Sequence, residues 1–303
     1  MPTIASDKLQ DIARKLLMGA GASQKESEII SRHSIGANLA GHDSHGIIQI
    51  PTYIDRMDRG HIVPGAEYEI LKESATTTVV DGHWGFGYVV TERTMKLTIE
   101  KAKTQNVAAA TIHRQSHIGR LASYPLMAAK ADMIAMITAD SGRSAKGVVP
   151  FGGREKRLGT NPISFAMPSD LEGPFFLDMA TSAVAAGKIN LAKARGNKVP
   201  KGWILDSDGN PTTDPDALSS GGAILPLGGA EGHKGYGLSS MVEIFSGILT
   251  GLGFGHDPSG RHNDGCFMAV FNLAAFRDVV DFKKEIKEFA QYLKSSEPAT
   301  GFK

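Results

Sequence analysis

From Glu67 onward, short apolar runs alternate with longer amphipathic segments, and this alternation limits most strongly how the chain can fold. The runs "VAAATI", "MIAMITAD" and "CFMAVFNL" are typical of buried strands, whereas "TERTMKLTIEKAKTQN" has the apolar spacing of a helix. Strands that alternate with helices predict an α/β domain, which we place at residues 66–272. A helical N-terminal unit is predicted before it, at 1–65, and a helical segment after it, at 273–303.

Three helices are predicted within the N-terminal unit, and their capping residues indicate where they begin. Ser6 can cap the first helix, and Ser23 with Glu26 has the pattern of a reciprocal capping box for the second. A third helix with an apolar face is expected to begin near Ser44. That start would place His45 in its first turn.

The charge balance narrows the range of partners. Formal net charge is +1, and no run of like charge has the length of a nucleic-acid-binding arm. No apolar stretch approaches the length of a membrane span, and "MPTIASDKLQ" lacks the pattern of a signal peptide. We therefore expect a cytoplasmic protein that binds neither nucleic acid nor membrane.

The single cysteine, Cys266, lies in an apolar run and is expected to be a buried, inert thiol.

The stretch "GHDSHGIIQIP", residues 41–51, concentrates groups that handle protons. A histidine at a helix start can be held in one tautomer by a neighbouring hydroxyl or carboxylate, and His45 could then act as an acid or base near neutral pH. Alternatively, Asp43 or Ser44 only caps the third helix, and both histidines lie on the surface. The local sequence leaves both interpretations open.

The stretch "HRQSHIGRLASYP" also has more than one interpretation. On a helix, His113 and His117 would share a face and could bind a metal, but the preceding residues read as a strand and nothing is spaced to complete such a site. A helix beginning near Gly119 would instead offer backbone N–H groups and Arg120 to an anion such as a phosphate. A polar loop with one capping histidine is the third possibility.

Two further stretches place a charged side chain beside turn residues. Asp178 ends an apolar run before a helix predicted across "SAVAAGKINLAKARG", which Thr181 or Ser182 would cap, so its carboxylate is either an active-site group or a plain cap. His233 and Lys234 lie between glycines at the start of a long apolar helix. A close approach of the backbone to an anionic ligand is favoured there over a flexible loop.

No G-x-G-x-x-G follows a strand, and no P-loop, nucleophile elbow or H-E-x-x-H helix occurs. A nucleotide would therefore need a different phosphate cradle. The order of several distinctive stretches nevertheless resembles the type 2 malate/L-lactate dehydrogenase family. These stretches are "AGHDSHGI", "SHIGR", "GTNPISFAMP", "LDMATSAVAAGK", "PTTDP" and "HKGYGL", and they span essentially the whole chain.

This resemblance implies NAD- or NADP-dependent interconversion of small 2-hydroxy acids and 2-keto acids, or reduction of a cyclic imino acid or diketo sugar acid, without a metal. It implies that the α/β domain binds cofactor and substrate on a non-Rossmann, mixed-sheet fold. It also implies a homodimer, and a C-terminal helix that packs on the N-terminal unit.

The resemblance assigns roles residue by residue. His45 is the expected proton donor and acceptor, with Ser44 and Asp178 close to it. The expected substrate pocket contains Gln49, His117, Thr160 and Asn161. The positions that match cofactor contacts are Gly119, Arg120, Leu121, Phe176, Leu177, Asp178, Met179, Ala180, His233 and Lys234.

Two departures from the family pattern concern the substrate and the cofactor. Many members carry an arginine four residues after the catalytic histidine, where this chain has Gln49, so Arg120 is a candidate to meet a substrate carboxylate instead. That argues against malate, which has two carboxylates, and towards the hydroxycarboxylate dehydrogenase branch. The chain also ends at "SSEPATGFK", where relatives continue into a "PGE"-containing segment that touches the cofactor.

The expected chemistry is proton transfer coupled to hydride transfer. In reduction, protonated His45 would protonate the developing alkoxide, and in oxidation the neutral imidazole would accept the hydroxyl proton. Asp178 would orient the imidazole or stabilise its charged form. Two rivals stay open: a metal-dependent hydrolase or lyase that uses several of the histidines, and an inactive binding protein.

Overall fold

The structure is a computed structural model that describes residues 4–140, 146–257, 259, 261 and 263–301. The N-terminal part contains three helices, α1 (Ser6–Gly19), α2 (Gln24–Leu39) and α3 (Ile50–Asp58). The strands of the main sheet are β1 (Glu69–Glu73), β2 (Thr77–Gly85), β3 (Val107–Gln115), β4 (Met133–Asp140), β5 (Ile163–Met167), β6 (Phe175–Met179) and β10 (Gly265–Asn272).

These seven strands form one mixed sheet in the order β1-β2-β3-β10-β4-β5-β6. β2 and β3 run parallel and are connected by α4 (Gly87–Gln105), whereas the other neighbours are antiparallel. The α/β class and the mixed sheet predicted above are therefore confirmed. The non-Rossmann character of the domain stays a prediction.

The three largest apolar clusters among the described residues hold most of the fold together. The largest lies between the sheet and the helices α4 and α5 (Pro125–Ala129). A second joins α1, α2 and α3 to the start of α4 through Phe86 and Tyr88. The third joins α6 (Ala186–Ala194) to a small sheet of β7 (Ile204–Leu205), β8 (Pro211–Thr212) and β9 (Ala223–Ile224).

The cap of α2 is as predicted and that of α1 is not. Ser23 Oγ accepts from the Glu26 N–H at 3.3 Å, and Glu26 accepts from the Ser23 N–H at 2.9 Å, which completes the capping box. Ser6 is the first helical residue rather than the cap, because Ala5 holds the extended capping position. In the second half of the chain, α7 (His233–Glu243) continues into a π-helical turn at 244–248.

The last helix, α8 (Val279–Lys294), contacts the β6 edge of the sheet. The Lys283 carbonyl accepts from the Asp170 N–H at 3.2 Å, and the Phe289 ring lies 6.4 Å from that of Phe175. The expected packing of this segment on the N-terminal helices stays a prediction. The division into three units remains a prediction.

No helix in the described part of the chain combines the length and apolar character that crossing a bilayer requires. Cys266 is fully buried in β10, and burial raises the pKa of its thiol well above the usual range. The predicted inert thiol is consistent with this placement.

Candidate active site

His45 lies in an irregular segment made of two short 3-10 turns on either side of Gly46. Gly46 is extended (φ −91°, ψ −151°), which interrupts the helical backbone, and α3 begins only at Ile50, with Pro51 in its first turn. The prediction that the third helix begins near Ser44 is therefore wrong. His45 precedes the helix instead of lying in its first turn.

Asn38, near the end of α2, holds this segment in place. Its Oδ1 accepts from the Ile47 N–H at 2.9 Å, and its Nδ2 donates to Asp43 at 2.6 Å. A Cβ at Gly46 would overlap with the Asn38 amide, so the segment can close against α2 only with glycine there. Sequence reasoning missed Asn38, because its partners belong to the following turn and not to its own helix.

The His45 imidazole is partly buried, and its Nδ1 lies 2.9 Å from Ser44 Oγ. Burial lowers the pKa of His45, and the charge of Asp178 acts in the opposite direction. The resulting pKa of His45 lies below the ordinary value of 6.5, so the neutral imidazole predominates at neutral pH. Gln49 fixes the same turn, because its Nε2 donates to the Ser44 carbonyl at 2.7 Å.

His117 stands beside His45, with 5.6 Å between the two ring centroids. His117 Nδ1 lies 2.7 Å from the hydroxyl of Tyr53, which in turn lies 3.1 Å from the hydroxyl of Tyr88. The Tyr88 hydroxyl also donates to the His45 carbonyl at 3.4 Å. A chain of hydrogen bonds therefore connects the predicted acid/base to a residue of the predicted substrate pocket.

Sequence reasoning missed Tyr53 and Tyr88. Both are 2% exposed or less, on the buried faces of α3 and α4, and burial raises the pKa of each phenol. The signal that could have found them is a tyrosine on an otherwise apolar helix face, since a buried hydroxyl needs a partner. The partner itself lies in another element, so the sequence does not name it.

Asp178, in β6, faces the turn that follows β3. Its Oδ2 accepts from the Ala122 N–H at 3.0 Å, and Arg120 Nε lies 3.9 Å away. Burial raises the pKa of Asp178, while the Ala122 N–H and the Arg120 charge lower it less strongly. Asp178 acts on His45 through its charge, whereas its hydrogen bond goes to the turn.

Gly119, Arg120 and Leu121 form a tight turn rather than the start of a helix. Gly119 has φ +72°, and a Cβ there would overlap with the Tyr88 ring. Only a three-residue 3-10 turn begins at Leu121, and α5 spans five residues. The predicted helix near Gly119 is therefore wrong, because the chain turns sharply beneath Tyr88.

The Arg120 guanidinium packs near an aromatic ring, but its hydrogen-bonding capacity is not fully used. Its guanidinium lies 5.3 Å from the Phe176 ring centroid, and its Nε is buried without a hydrogen-bond partner among the described residues. A buried guanidinium N–H without an acceptor is unfavourable, so this atom marks a place where a ligand oxygen would be stabilised.

Thr160 and Asn161 form the turn before β5, and Asn161 links it to α7. Asn161 Nδ2 donates to Glu243 at 2.8 Å and to the Ser239 carbonyl at 3.1 Å. Thr181 donates its hydroxyl to the Asn161 carbonyl at 2.9 Å. Thr181 therefore fixes this turn and does not cap α6, whose capping position is Ala185, so the predicted cap at Thr181 or Ser182 is wrong.

The remaining predicted cofactor contacts lie in two places. Phe176 and Leu177 are exposed on the outer strand β6, which ends at Met179 and is followed directly by Ala180. His233 and Lys234 occupy the first turn of α7, where both lie within 4 Å of Glu231. The His233 ring also meets the Phe151 ring edge-on, with 5.7 Å between centroids. These described contacts do not link them to His45.

The two histidines considered as a metal pair are separated. His113 lies in β3, with its Nε2 3.8 Å from Asp81, while His117 follows the strand and faces Tyr53. Throughout the described residues, no group of three His, Cys, Asp or Glu side chains is placed to hold a metal ion.

The site therefore combines a half-buried histidine of lowered pKa with a carboxylate of raised pKa, and shifted pKa values of this kind are common at functional sites. The family model described as malate/L-lactate dehydrogenase matches residues 4–303. The chain belongs to this family of hydroxyacid dehydrogenases, which are oxidoreductases, and the resemblance noted in the sequence is confirmed.

Three relatives show the range of the family. The malate dehydrogenase of Pyrococcus horikoshii is 35% identical over 97% of this chain and 82% of its own length, and its structure superposes with a TM-score of 0.90. Hydroxycarboxylate dehydrogenase B of Escherichia coli is 35% identical over 91% of this chain and 77% of its own. The Δ1-piperideine-2-carboxylate reductase of Pseudomonas syringae is 30% identical, with a TM-score of 0.88 over 99% of this chain and 91% of that one.

Proposed function

We propose that this protein interconverts a small 2-hydroxy acid and its 2-keto acid with NAD or NADP, and that His45 is the acid/base. The observation that carries this proposal is the placement of His45. Its Nδ1 is engaged by Ser44, its ring stands beside His117, and the charge of Asp178 opposes the loss of its proton. Nε2 is the atom that would then exchange a proton with the substrate oxygen.

The residues around Arg120 fit a nicotinamide cofactor. The tight turn at Gly119 brings backbone close to the site, and the buried Nε of Arg120 calls for a ligand oxygen. The other residues proposed to hold the cofactor are Leu121, Phe176, Leu177, Asp178, Met179, Ala180, His233 and Lys234. When bound, the cofactor supplies or accepts the hydride at the substrate's second carbon.

The protein's own part in the reaction is to place the substrate and to move one proton. The pKa of His45 lies below 6.5, so the neutral form is ready to accept the hydroxyl proton during oxidation. The negative charge of Asp178 stabilises the imidazolium that results. During reduction the same nitrogen returns the proton to the forming hydroxyl group.

The substrate pocket favours one carboxylate over two. Gln49 makes its hydrogen bond to the Ser44 carbonyl and carries no charge, so Arg120 is the cation proposed to meet the substrate carboxylate. His117, Thr160 and Asn161 complete the proposed pocket. A second carboxylate, as in malate, lacks a matching arginine at position 49.

Reduction of a cyclic imino acid is the second candidate, favoured by the similarity to the Pseudomonas reductase over nearly the whole chain. An imine nitrogen and a keto oxygen need the same two groups, a hydride donor and an acid. The substrate screen below separates the two reactions.

We also propose a homodimer. Met241, Ile244, Phe245, Ile248 and Leu249 form an apolar strip along the end of α7 and its π-helical turn, and each is 38–54% exposed. A contiguous apolar strip of this kind is typical of a surface that another subunit covers. Sedimentation of the protein would show two chains if the strip is an interface, and a monomer would refute this part of the proposal.

The direct test is a screen of small 2-keto acids and Δ1-piperideine-2-carboxylate against NADH and NADPH. We expect oxidation of one or both cofactors with a 2-keto acid, at a rate that EDTA leaves unchanged. Loss of turnover after chelation would favour the metal-dependent rival. Absence of turnover with every compound, in a protein that is folded by circular dichroism, would contradict the proposal.

A further inference from the structure

A cavity away from the proposed active site lies between the ends of β2 and β3 and the loop that leads into β10. Its volume is about 220 Å³. Its lining includes six polar or aromatic side chains, those of Trp84, His113, Arg114, Asp257, Arg261 and Asn263. None of them belongs to the proposed acid/base site or to the proposed cofactor contacts.

The backbone around this cavity adopts conformations that are rare for residues with side chains. His83, Trp84 and Arg114 have φ of 46°, 64° and 50°, and they are half of the six non-glycine residues with positive φ in the described chain. Such conformations persist only where the surrounding structure enforces them, and they gather at ligand sites. Their concentration here points to a built feature of the fold.

Two arginines, Arg114 and Arg261, line the cavity. Arg261 lies 3.8 Å from the Trp84 ring centroid and donates to two backbone carbonyls of the loop after α3. Arg114 is held by Asp81, to which its Nε donates at 2.9 Å. The pKa of Arg261 is lowered by burial and by the charge of Arg114. An anion between the two arginines would relieve this repulsion.

The wall also offers acceptor atoms. Nδ1 of His113 and Oδ1 of Asn263 are buried and have no hydrogen-bond partner among the described residues, and Asn263 is only 5% exposed. Asp257, which also lines the cavity, is already engaged, because its carboxylate accepts from the Ser259 N–H at 2.9 Å. Because buried polar atoms are normally paired, a ligand at this site should bring a hydrogen-bond donor as well as negative oxygens.

We propose that this cavity binds a small oxyanion that also carries a hydroxyl group. The negative oxygens would face Arg114 and Arg261, and the hydroxyl would donate to Oδ1 of Asn263. Hydrogen phosphate and 2-hydroxy carboxylates share this chemistry. The proposal does not depend on the reaction assigned to His45.

The cavity is connected to the proposed cofactor turn through two adjacent residues. Asn263 is followed directly by Asp264, whose Oδ2 accepts from the Ile118 N–H at 3.1 Å, next to Gly119. A ligand that holds Asn263 therefore also holds the carboxylate that fixes the start of this turn. The site is placed to modulate binding at Arg120.

Trp84 is itself a probe for this site, once Trp203 in the small-sheet cluster is replaced. In a Trp203→Phe protein we would titrate inorganic phosphate, glycolate and acetate at constant ionic strength, with chloride as the reference, and follow fluorescence. We expect saturable changes with phosphate or glycolate, or both, and about tenfold weaker binding of acetate, which lacks the hydroxyl. The two active probes separate phosphate from a hydroxy acid as the source of the ligand.

Arg261→Gln should abolish the saturable change, while Arg277→Gln, which alters another arginine beside an aromatic ring, should leave it intact. If Arg261→Gln does not fold by circular dichroism, Asn263→Asp should weaken phosphate binding at least about tenfold, because it places a charge against the anion. A response equal to that of chloride, or one that survives these changes (an adventitious ion only), would overturn the proposal. Turnover with keto acids would be unaffected by that failure.

Discussion

His33 and His45 each lie near a carboxylate, but the two arrangements are built differently. Nε2 of the buried His33 lies 2.7 Å from Glu92 on α4, which also accepts from Arg32 and Lys96 at 2.7 Å. Although burial acts to raise the pKa of Glu92, hydrogen bonds from these three side chains hold it far below its usual range. This carboxylate is saturated with hydrogen-bonding partners, two of which are the cations Arg32 and Lys96.

Asp178 has far fewer partners near His45. It accepts one backbone N–H, with Arg120 at 3.9 Å, and burial therefore raises the pKa of this carboxylate. In the proposed function, the number of hydrogen-bonding partners of the carboxylate separates the structural arrangement at His33 from the reactive arrangement at His45. Saturation fixes the charge of Glu92 and ties α2 to α4, whereas under-partnering leaves His45 and Asp178 with shifted pKa values that chemistry can use.

After the loss of His45 itself, the largest expected effect follows from removing the charge of Asp178. Asp178→Asn should lower kcat by about 100-fold, since a well-placed proton-transfer group contributes on that order. The pKa of His45 should fall further, because the carboxylate opposes its lowering. For oxidation of the hydroxy acid, which needs the neutral imidazole, the acid limb of the kcat/KM profile would lie at lower pH. Asp170→Asn, at a distant exposed aspartate, is the control, and an unshifted profile in Asp178→Asn would contradict the assigned role.

Glu92→Gln should affect stability instead of turnover. It leaves buried His33 without its charged partner, and the free energy of unfolding should fall by about 2 kcal/mol. Urea unfolding measures this change, and Glu100→Gln, at an exposed ion pair on the same helix, should lie within about 0.5 kcal/mol of the unaltered protein. A large loss of kcat in Glu92→Gln at full stability would break the comparison.

Asp140 gives a third case for the comparison, because it and a second carboxyl group, that of Glu243, share the ammonium group of one lysine. Lys146 lies 3.2 Å from Asp140 and 3.0 Å from Glu243, all three buried. Burial raises the pKa of Asp140 to about 8, and Glu243 adds to the rise while Lys146 opposes it. The folded protein therefore keeps a proton here that the unfolded chain loses above 3.8.

The stability contributed by this proton is present below pH 3.8 and is lost as pH rises towards about 8. Asp140→Asn, which cannot ionise, should remove that decline. Melting temperatures from pH 5 to pH 8 would then converge or cross between the two proteins. If the melting temperatures of the two proteins change with pH in parallel, Asp140 is ionised over the whole range from pH 5 to pH 8 and this account of its pKa is wrong.

The smallest expected effect concerns substrate choice. Gln49→Arg should raise kcat/KM for oxaloacetate relative to pyruvate by roughly fivefold, the size of a partly exposed ion pair. Gln49→Lys, with a point charge in place of the planar fork, should give a smaller change. An unchanged ratio in both variants would remove position 49 from the account of specificity.

Local patterns predicted much of the scaffold. "MIAMITAD" coincides with β4, Met133–Asp140, because a continuous apolar run is what a strand buried within a sheet requires. The capping box at Ser23 was predicted because both partners lie within one helical turn. These features need no knowledge of distant residues.

The candidate site could be predicted only in part, because it is assembled from distant segments. The resemblance selected His45, His117 and Asp178, and the structure brings the two histidine rings together. The resemblance could not show that Tyr53 and Tyr88 connect the two histidines, since each tyrosine hydroxyl finds its partner on another element of the fold. The helix expected after Gly119 was wrong for the same reason, because packing against Tyr88 forces a turn that local propensity does not reveal.

The most direct test compares His45→Gln with His33→Gln, using the keto acid that gives turnover. We predict that His45→Gln lowers kcat by about 10²–10⁴-fold with a free energy of unfolding within about 0.5 kcal/mol of the unaltered protein. His33→Gln should do the reverse, losing stability while the folded fraction keeps its kcat. A His45→Gln protein that turns over as fast as the unaltered one would contradict the proposal that His45 is the acid/base.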